Sequence, residues 1–183
     1  ALSSGFTPLL FAVREGHFEV VRTLVEAGAD INKSTNPLPD WRHITNDAPL
    51  RPGARPLHGA VENGQFELAA YLLEAGAEAN MGDLTGYTEL HAMVAARKVP
   101  LGDANPPPEP SGNMTSLELV NKLALHGADL DAVIRKVHSQ IGGTTASRTI
   151  HVTPFLMASQ TASLNWRHFR RHAASSPTLR EGF

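Results

Sequence analysis

Cysteine is absent from this 183-residue chain. That removes disulfides and thiolate metal sites, while leaving oxidising and reducing compartments equally open. A surplus of positive charge is missing too: Lys and Arg number 16 against 18 Asp and Glu, a net charge of −2. Phosphate binding normally shows as a basic excess, so no nucleic-acid partner is expected. No apolar run approaches the ~18 residues a membrane helix needs, so no membrane association is expected. The opening residues ALSSG lack the charged segment and apolar core of a targeting peptide. Cytoplasmic, periplasmic and secreted locations all stay open. What is present is ordinary for a folded soluble protein: 42% hydrophobic and 19% charged residues, in a length that suits one domain or one run of repeats.

The chain repeats itself. Gly5 to Asn32 reads GFTPLLFAVREGHFEVVRTLVEAGADIN, and Gly53 to Asn80 reads GARPLHGAVENGQFELAAYLLEAGAEAN. A third copy is split into GYTELHAMVAARK from Gly86 and LELVNKLALHGADLD ending at Asp131. A fourth begins at Thr153 with TPFLMASQTASLNW, and Pro56 lies 33 residues from Glu89, its counterpart one repeat on. The recurring starts are Thr7-Pro8-Leu9, Pro56-Leu57-His58, Thr88-Glu89-Leu90-His91 and Thr153-Pro154-Phe155. The recurring endings are Gly28-Ala29-Asp30, Gly76-Ala77-Glu78 and Gly127-Ala128-Asp129. With these starts and endings in register, the chain resembles the ankyrin repeat family, whose unit is a turn plus two helices over about 33 residues.

Local chemistry agrees with the resemblance. Proline at a helix's first position loses nothing, because that N–H has no intrahelical partner, and a preceding Thr can cap. Gly28, Gly76 and Gly127 follow amphipathic runs and suit the left-handed residue that ends a helix. Apolar residues fall at Phe18, Val21, Leu24 and Val25, again at Phe66, Ala69, Leu72 and Leu73, and again at Leu117, Val120, Leu123 and Ala124. That spacing is one face of a helix. One helix pair cannot bury such a face alone, so stacking on the next repeat must supply the core.

The expected fold is therefore all-α: an ankyrin-repeat solenoid of stacked helix-turn-helix units with long loop insertions. The array spans 1–174, with repeats at 5–32, 53–80, 83–131 and a degenerate 151–174. Pro8 to Pro56 is 48 residues, and the excess falls in a loop insertion at 33–52. Gly76 to Gly127 is 51 residues, and that excess falls at 99–116 between the two helices of one repeat. Nine of the 13 prolines lie in these two insertions, so both are expected to be non-helical. A third insertion covers 132–150; its Val133, Ile134 and Val137 suggest a helical turn and Gly142-Gly143 a loop. The first repeat has no polar outer face, which predicts further repeats upstream, since terminal repeats usually carry one. In the fourth repeat the second-helix face would fall on Leu164, Arg167, Arg170 and Arg171, so that segment is either a degenerate cap or a lost register. Residues 175–183 are expected to fray.

Nine histidines invite a metal or catalytic reading. The resemblance instead gives His58 and His91 a hydrogen-bonding role between adjacent turns, and puts His17 and His126 at family turn positions. His43, His138, His151, His168 and His172 form no helical ligand pair with a third donor. The N-P-P-P-E-P run reads as a stiff spacer before a polyproline ligand, and Arg167 to His172 as a solvated basic end. No nucleophile elbow, phosphate loop or triad appears, so neither catalytic residue, cofactor nor metal is assigned and an enzyme is not expected.

The resemblance implies a protein–protein interaction module that binds through its turn tips and the inner face of its first helices. The positions are Phe6, Arg14 and Glu15, then Glu62 and Asn63 with Ala54, then Asp83, Leu84, Thr85 and Tyr87, then Gln160 and Thr161. Trp41 and Arg42 in the first insertion are residue types common at binding hot spots; equally, Trp41 can fold back over neighbouring helices. The partner is another protein of unspecified identity, and the chain itself is expected to be monomeric. An alternative is a repeat segment of a larger secreted or periplasmic protein whose catalytic or toxic domain lies elsewhere. The gapped repeats and Pro-rich insertions resemble bacterial ankyrin proteins more than the uniform arrays of animal scaffolds.

Overall fold

The computed structural model describes residues 6–35, 53–83, 86–96, 112–135 and 152–160. Expectations for Trp41, Arg42, Leu84, Thr85, Thr161, the Pro-rich run, Gly142-Gly143, the fourth repeat's second helix and the tail concern residues outside these ranges. Every regular element described is a helix. In chain order they are α1 (Pro8–Arg14), α2 (Phe18–Glu26), α3 (Pro56–Glu62), α4 (Phe66–Glu74), α5 (Glu89–Ala96), α6 (Ser116–Leu125) and α7 (Pro154–Gln160).

The helix starts follow the sequence chemistry. Thr7 caps α1 by accepting from Leu10 N–H at 3.2 Å, with Pro8 in the first turn. Thr153 does the same for α7 through Leu156 N–H. At α6 the Thr115 hydroxyl and the Glu118 carboxylate satisfy each other's backbone N–H groups, a capping box. That box holds the Glu118 carboxyl below its ordinary range, through the backbone N–H of Thr115 first and its hydroxyl second. The endings are equally regular. Gly28, Gly76 and Gly127 have φ of 87°, 100° and 83°, a backbone region that only glycine enters freely. Each lets the next N–H reach back: Ala29 to Leu24 O, Ala77 to Leu72 O, Ala128 to Leu123 O, all at 2.9 Å. This closes the last turn and tucks the alanine of each Gly-Ala pair against the helix it follows.

First helices stack in one row, α1 on α3, α3 on α5, α5 on α7, while α4 and α6 pack in a second layer. The core lies between the layers. Val21, Phe66, Ala69, Leu72, Leu73, Val120, Leu123 and Ala124 are buried as their spacing predicts, whereas Phe18, Leu24 and Val25 are half-buried. Two asparagines at equivalent places clamp each repeat to the next. Asn32 donates to Gly76 O and accepts from Glu78 N–H. Asn80 donates to Gly127 O and accepts from Asp129 N–H.

His91 links repeats as the resemblance implies. Its Nδ1 accepts from Thr88 N–H at 3.2 Å and meets the Thr88 hydroxyl at 2.8 Å; its Nε2 contacts Val152 O at 3.0 Å. A carbonyl only accepts, so Nε2 carries the proton and the ring is neutral. Burial, the largest influence, holds its pKa below the ordinary histidine value, partly opposed by the bond to Val152. His58 departs from this pattern, because the residue three positions before it is Arg55 rather than Thr. It is buried, with Nε2 3.4 Å from Glu62 Oε1 and its ring edge against Tyr87. Arg55 meanwhile donates to the carbonyls of Asn32, Met81 and Gly82, tying two turns together.

The three inter-repeat turns close on equivalent pairs: Thr35 N–H to Ala54 O at 2.9 Å, Asp83 N–H to Tyr87 O at 3.0 Å, and Ile134 N–H to Val152 O at 3.3 Å. Only residues 84–86 separate the middle pair, but 36–53 and 135–151 separate the outer two. The first and third insertions thus leave and rejoin the array at the same place in successive turns. Val133 and Ile134 are not in a helical turn. The Ile134 N–H is used by Val152 and its side chain is buried, so this stretch pairs across the turn.

Candidate protein-binding surface

The proposed contact positions separate into those the fold leaves outside and those it takes in. Arg14 and Glu15 end α1; Glu62 and Asn63 hold the equivalent places at the end of α3, directly beside it. Glu15 is exposed and Arg14, Glu62, Asn63 and Phe6 are half-exposed, while Leu9, Val13, Leu57 and Val61 on the same two helices are buried. The two ends are joined by Gln65, whose side-chain N–H donates to Arg14 O at 3.2 Å. Variation therefore sits on a rigid shelf: Arg then Glu at one place, Glu then Asn at the next. The shelf is pre-set by short contacts. Arg14 pairs with Glu15 at 2.6 Å, and Asn63 donates to Gly59 O at 2.9 Å.

Phe11 belongs to this group although its sequence position did not suggest it. Its ring is 47% exposed, stands 4.5 Å from the Phe6 ring centroid edge-to-face, and lies 5.2 Å beneath the Arg14 guanidinium. Such cation–aromatic contacts contribute about 0.5–1 kcal/mol at exposed sites. The signal in the sequence is a large aromatic where the next two repeats have Gly59 and Ala92, both buried against neighbouring helices.

Asp83 and Tyr87, expected on this surface, are instead inside, with Tyr87 only 1% exposed. The short middle turn folds on itself, and Asp83 Oδ1 accepts from Tyr87 N–H at 3.1 Å. The Tyr87 ring then sits between the two histidines, stacked 5.5 Å from His91 and edge-on to His58, with its hydroxyl donating to His91 O. A three-residue tip gives such a side chain no length with which to reach outward. Ala54 is buried by the same closure in the preceding turn. Gln160 ends α7, and its side chain is outside the described set.

Beside the middle and third turns lies an open cleft of about 670 Å³ whose walls include Asn80, Asp83, Thr88, Asp129, Asp131 and Arg135. Among its described lining residues three carboxylates, of Asp83, Asp129 and Asp131, face one cation, Arg135. Of the described histidines, His17 and His126 are exposed at helix ends and His58 and His91 are internal; among the described residues no group of three His, Cys, Asp or Glu is placed to hold a metal ion. No described helix is long and apolar enough to cross a membrane.

The ankyrin repeat family model matches residues 4–36 and 53–84. No curated protein matches the chain. The matched segments cover α1 to α4 with their turns, and the third helix pair has the same glycine ending and is held by the same kind of asparagine clamp. Repeats of this kind generally serve as protein–protein interaction modules, and residues 4–36 and 53–84 of this chain are ankyrin repeats.

Proposed function

We propose that the chain is a non-enzymatic module that binds a partner protein across the ends of its first helices and the edge formed by its turn tips. The observation that carries this is the split in exposure along α1 and α3. Repeated residues are buried, while Arg14, Glu15, Glu62 and Asn63 differ between repeats and reach the surface. A scaffold that fixes its backbone and varies only these side chains can specify a partner without changing its shape. The Phe6–Phe11–Arg14 group adds an aromatic and cationic anchor of the type that dominates interface energetics. Trp41 and Arg42, and likewise Leu84 and Thr85, belong to loops whose ends are pinned at the turn edge, which supports including them. The acidic balance of the adjoining cleft favours a basic side chain of the partner there.

The test is quantitative capture of a partner. Proteins retained by the immobilised chain are identified and their affinity measured for the Arg14→Ala, Glu62→Ala double variant and for Phe11→Ala. Each should weaken binding by about tenfold or more, equal to ~1.4 kcal/mol. An Arg22→Ala, Glu26→Ala control on the exposed side of α2 should leave affinity unchanged. Equal loss from control and test, or none from either, refutes the surface.

A further inference from the structure

Glu89 stands where the other three repeats have Pro8, Pro56 and Pro154. It opens α5 at the junction of the second and third helix pairs, where α5 packs on α3. The side chain is 0% exposed, and among the described residues no other hydrogen-bonds either carboxyl oxygen; its own backbone N–H is the one polar group turned toward it. An ionised carboxylate in such a place carries a far heavier desolvation penalty than a neutral carboxyl does. We propose that this junction is a pH-dependent joint, in which Glu89 is protonated while the second and third repeats are stacked and its ionisation loosens the stack.

The surroundings set the balance. From α3 and the residue before it come His58 and Arg55, which favour the charged form, and Glu62, which is engaged with His58. Arg55 is spread over three backbone carbonyls in the turns, so it is not committed to the carboxyl. From the middle turn come Asp83, which disfavours a second negative charge, and Tyr87. On α5 itself the other titratable ring is His91, held neutral by Thr88 and Val152. On α6, Glu118 is bound to Thr115 and Lys122 to Glu74; α7 carries no ionisable side chain. Burial outweighs these attractions and pushes the Glu89 carboxyl up to about 7.

The direction of the effect follows by linkage. An unfolded chain releases the Glu89 proton near 4.5, the folded one near 7, so the folded state holds more protons between these values. The stabilisation is complete below pH 4.5 and is lost as pH rises to 7. His91 acts in the opposite sense: its lowered pKa removes stability as pH falls below its ordinary value of 6.5. The Glu89 contribution is therefore isolated by comparing wild type with Glu89→Gln, which keeps the shape and cannot ionise.

Urea unfolding of the full chain, from pH 5 to pH 8, supplies the comparison. Over that range the wild-type unfolding constant should rise on the order of a hundredfold more than that of Glu89→Gln. Glu89→Pro, which restores the residue of the other repeats, should track the glutamine variant. Amide exchange, corrected for its intrinsic pH dependence, should accelerate in α5 relative to α1 as pH rises. A carbon-13 titration of the wild-type Glu89 carboxyl needs no variant and should show a midpoint near neutrality. Parallel pH profiles for all three proteins, an exchange change uniform along the chain, or a Glu89 midpoint near 4.5 would each overturn the proposal.

Discussion

Leu72 and Leu24 occupy the same position in successive repeats, and the stack treats them differently. Leu72 is 0% exposed, enclosed by the core on both sides of α4; Leu24, on α2, packs against that core while remaining half-buried. Truncating an enclosed leucine to alanine removes its transfer energy and leaves a cavity, and such sites lose about 3–5 kcal/mol. Leu72→Ala should fall in that range. At Leu24 part of the side chain already meets water and the neighbourhood can relax, so Leu24→Ala should cost about half as much, ~1–2 kcal/mol. Urea unfolding followed by circular dichroism at 222 nm reads both numbers on one scale. A Leu24→Ala loss equal to that of Leu72→Ala would refute the idea that stacking, rather than helix pattern, sets the burial. No loss from either would refute the register.

His91→Ala removes a ring that bridges Thr88 to Val152 within the core. It strands the buried N–H of Thr88, while Val152 O keeps the N–H of Ile134, so it should cost about 1–3 kcal/mol by the same unfolding assay; a loss below about 1 kcal/mol would show that the link is incidental. Thr115→Ala breaks the capping box of α6 and should cost ~1 kcal/mol, with Thr115→Ser recovering most of it; equal stability of the two variants would contradict the cap.

The helices were legible because their signals are local. Thr or Pro before each first helix, glycine after each second helix and the apolar spacing between them all act within one repeat, and the structure repeats them four, three and three times among the described residues. The contact surface was legible only in part. Arg14, Glu15, Glu62 and Asn63 end outside because helix ends project wherever the next chain segment turns away. Tyr87 and Asp83 end inside because the length of the middle turn, not residue type, decides which way they face. Arg55 and Glu89 read as simple departures from a Thr-Pro pattern. That one would bind three carbonyls and the other be sealed from water depends on the adjacent repeat, and no spacing within a single repeat carries that information.

The pinned bases of the turns have an evolutionary consequence. A loop whose two ends are already held by a hydrogen bond adds closure entropy only as the logarithm of its length. Exchanging the three-residue tip at 84–86 for stretches such as 36–53 or 135–151 therefore costs less than about 2 kcal/mol per turn. Selection can lengthen, shorten or rewrite these segments while Thr35–Ala54 and Ile134–Val152 keep the frame closed. The array is in this respect a socket strip, with an invariant spine and interchangeable attachments, and its recognition of partners can diverge far faster than its fold.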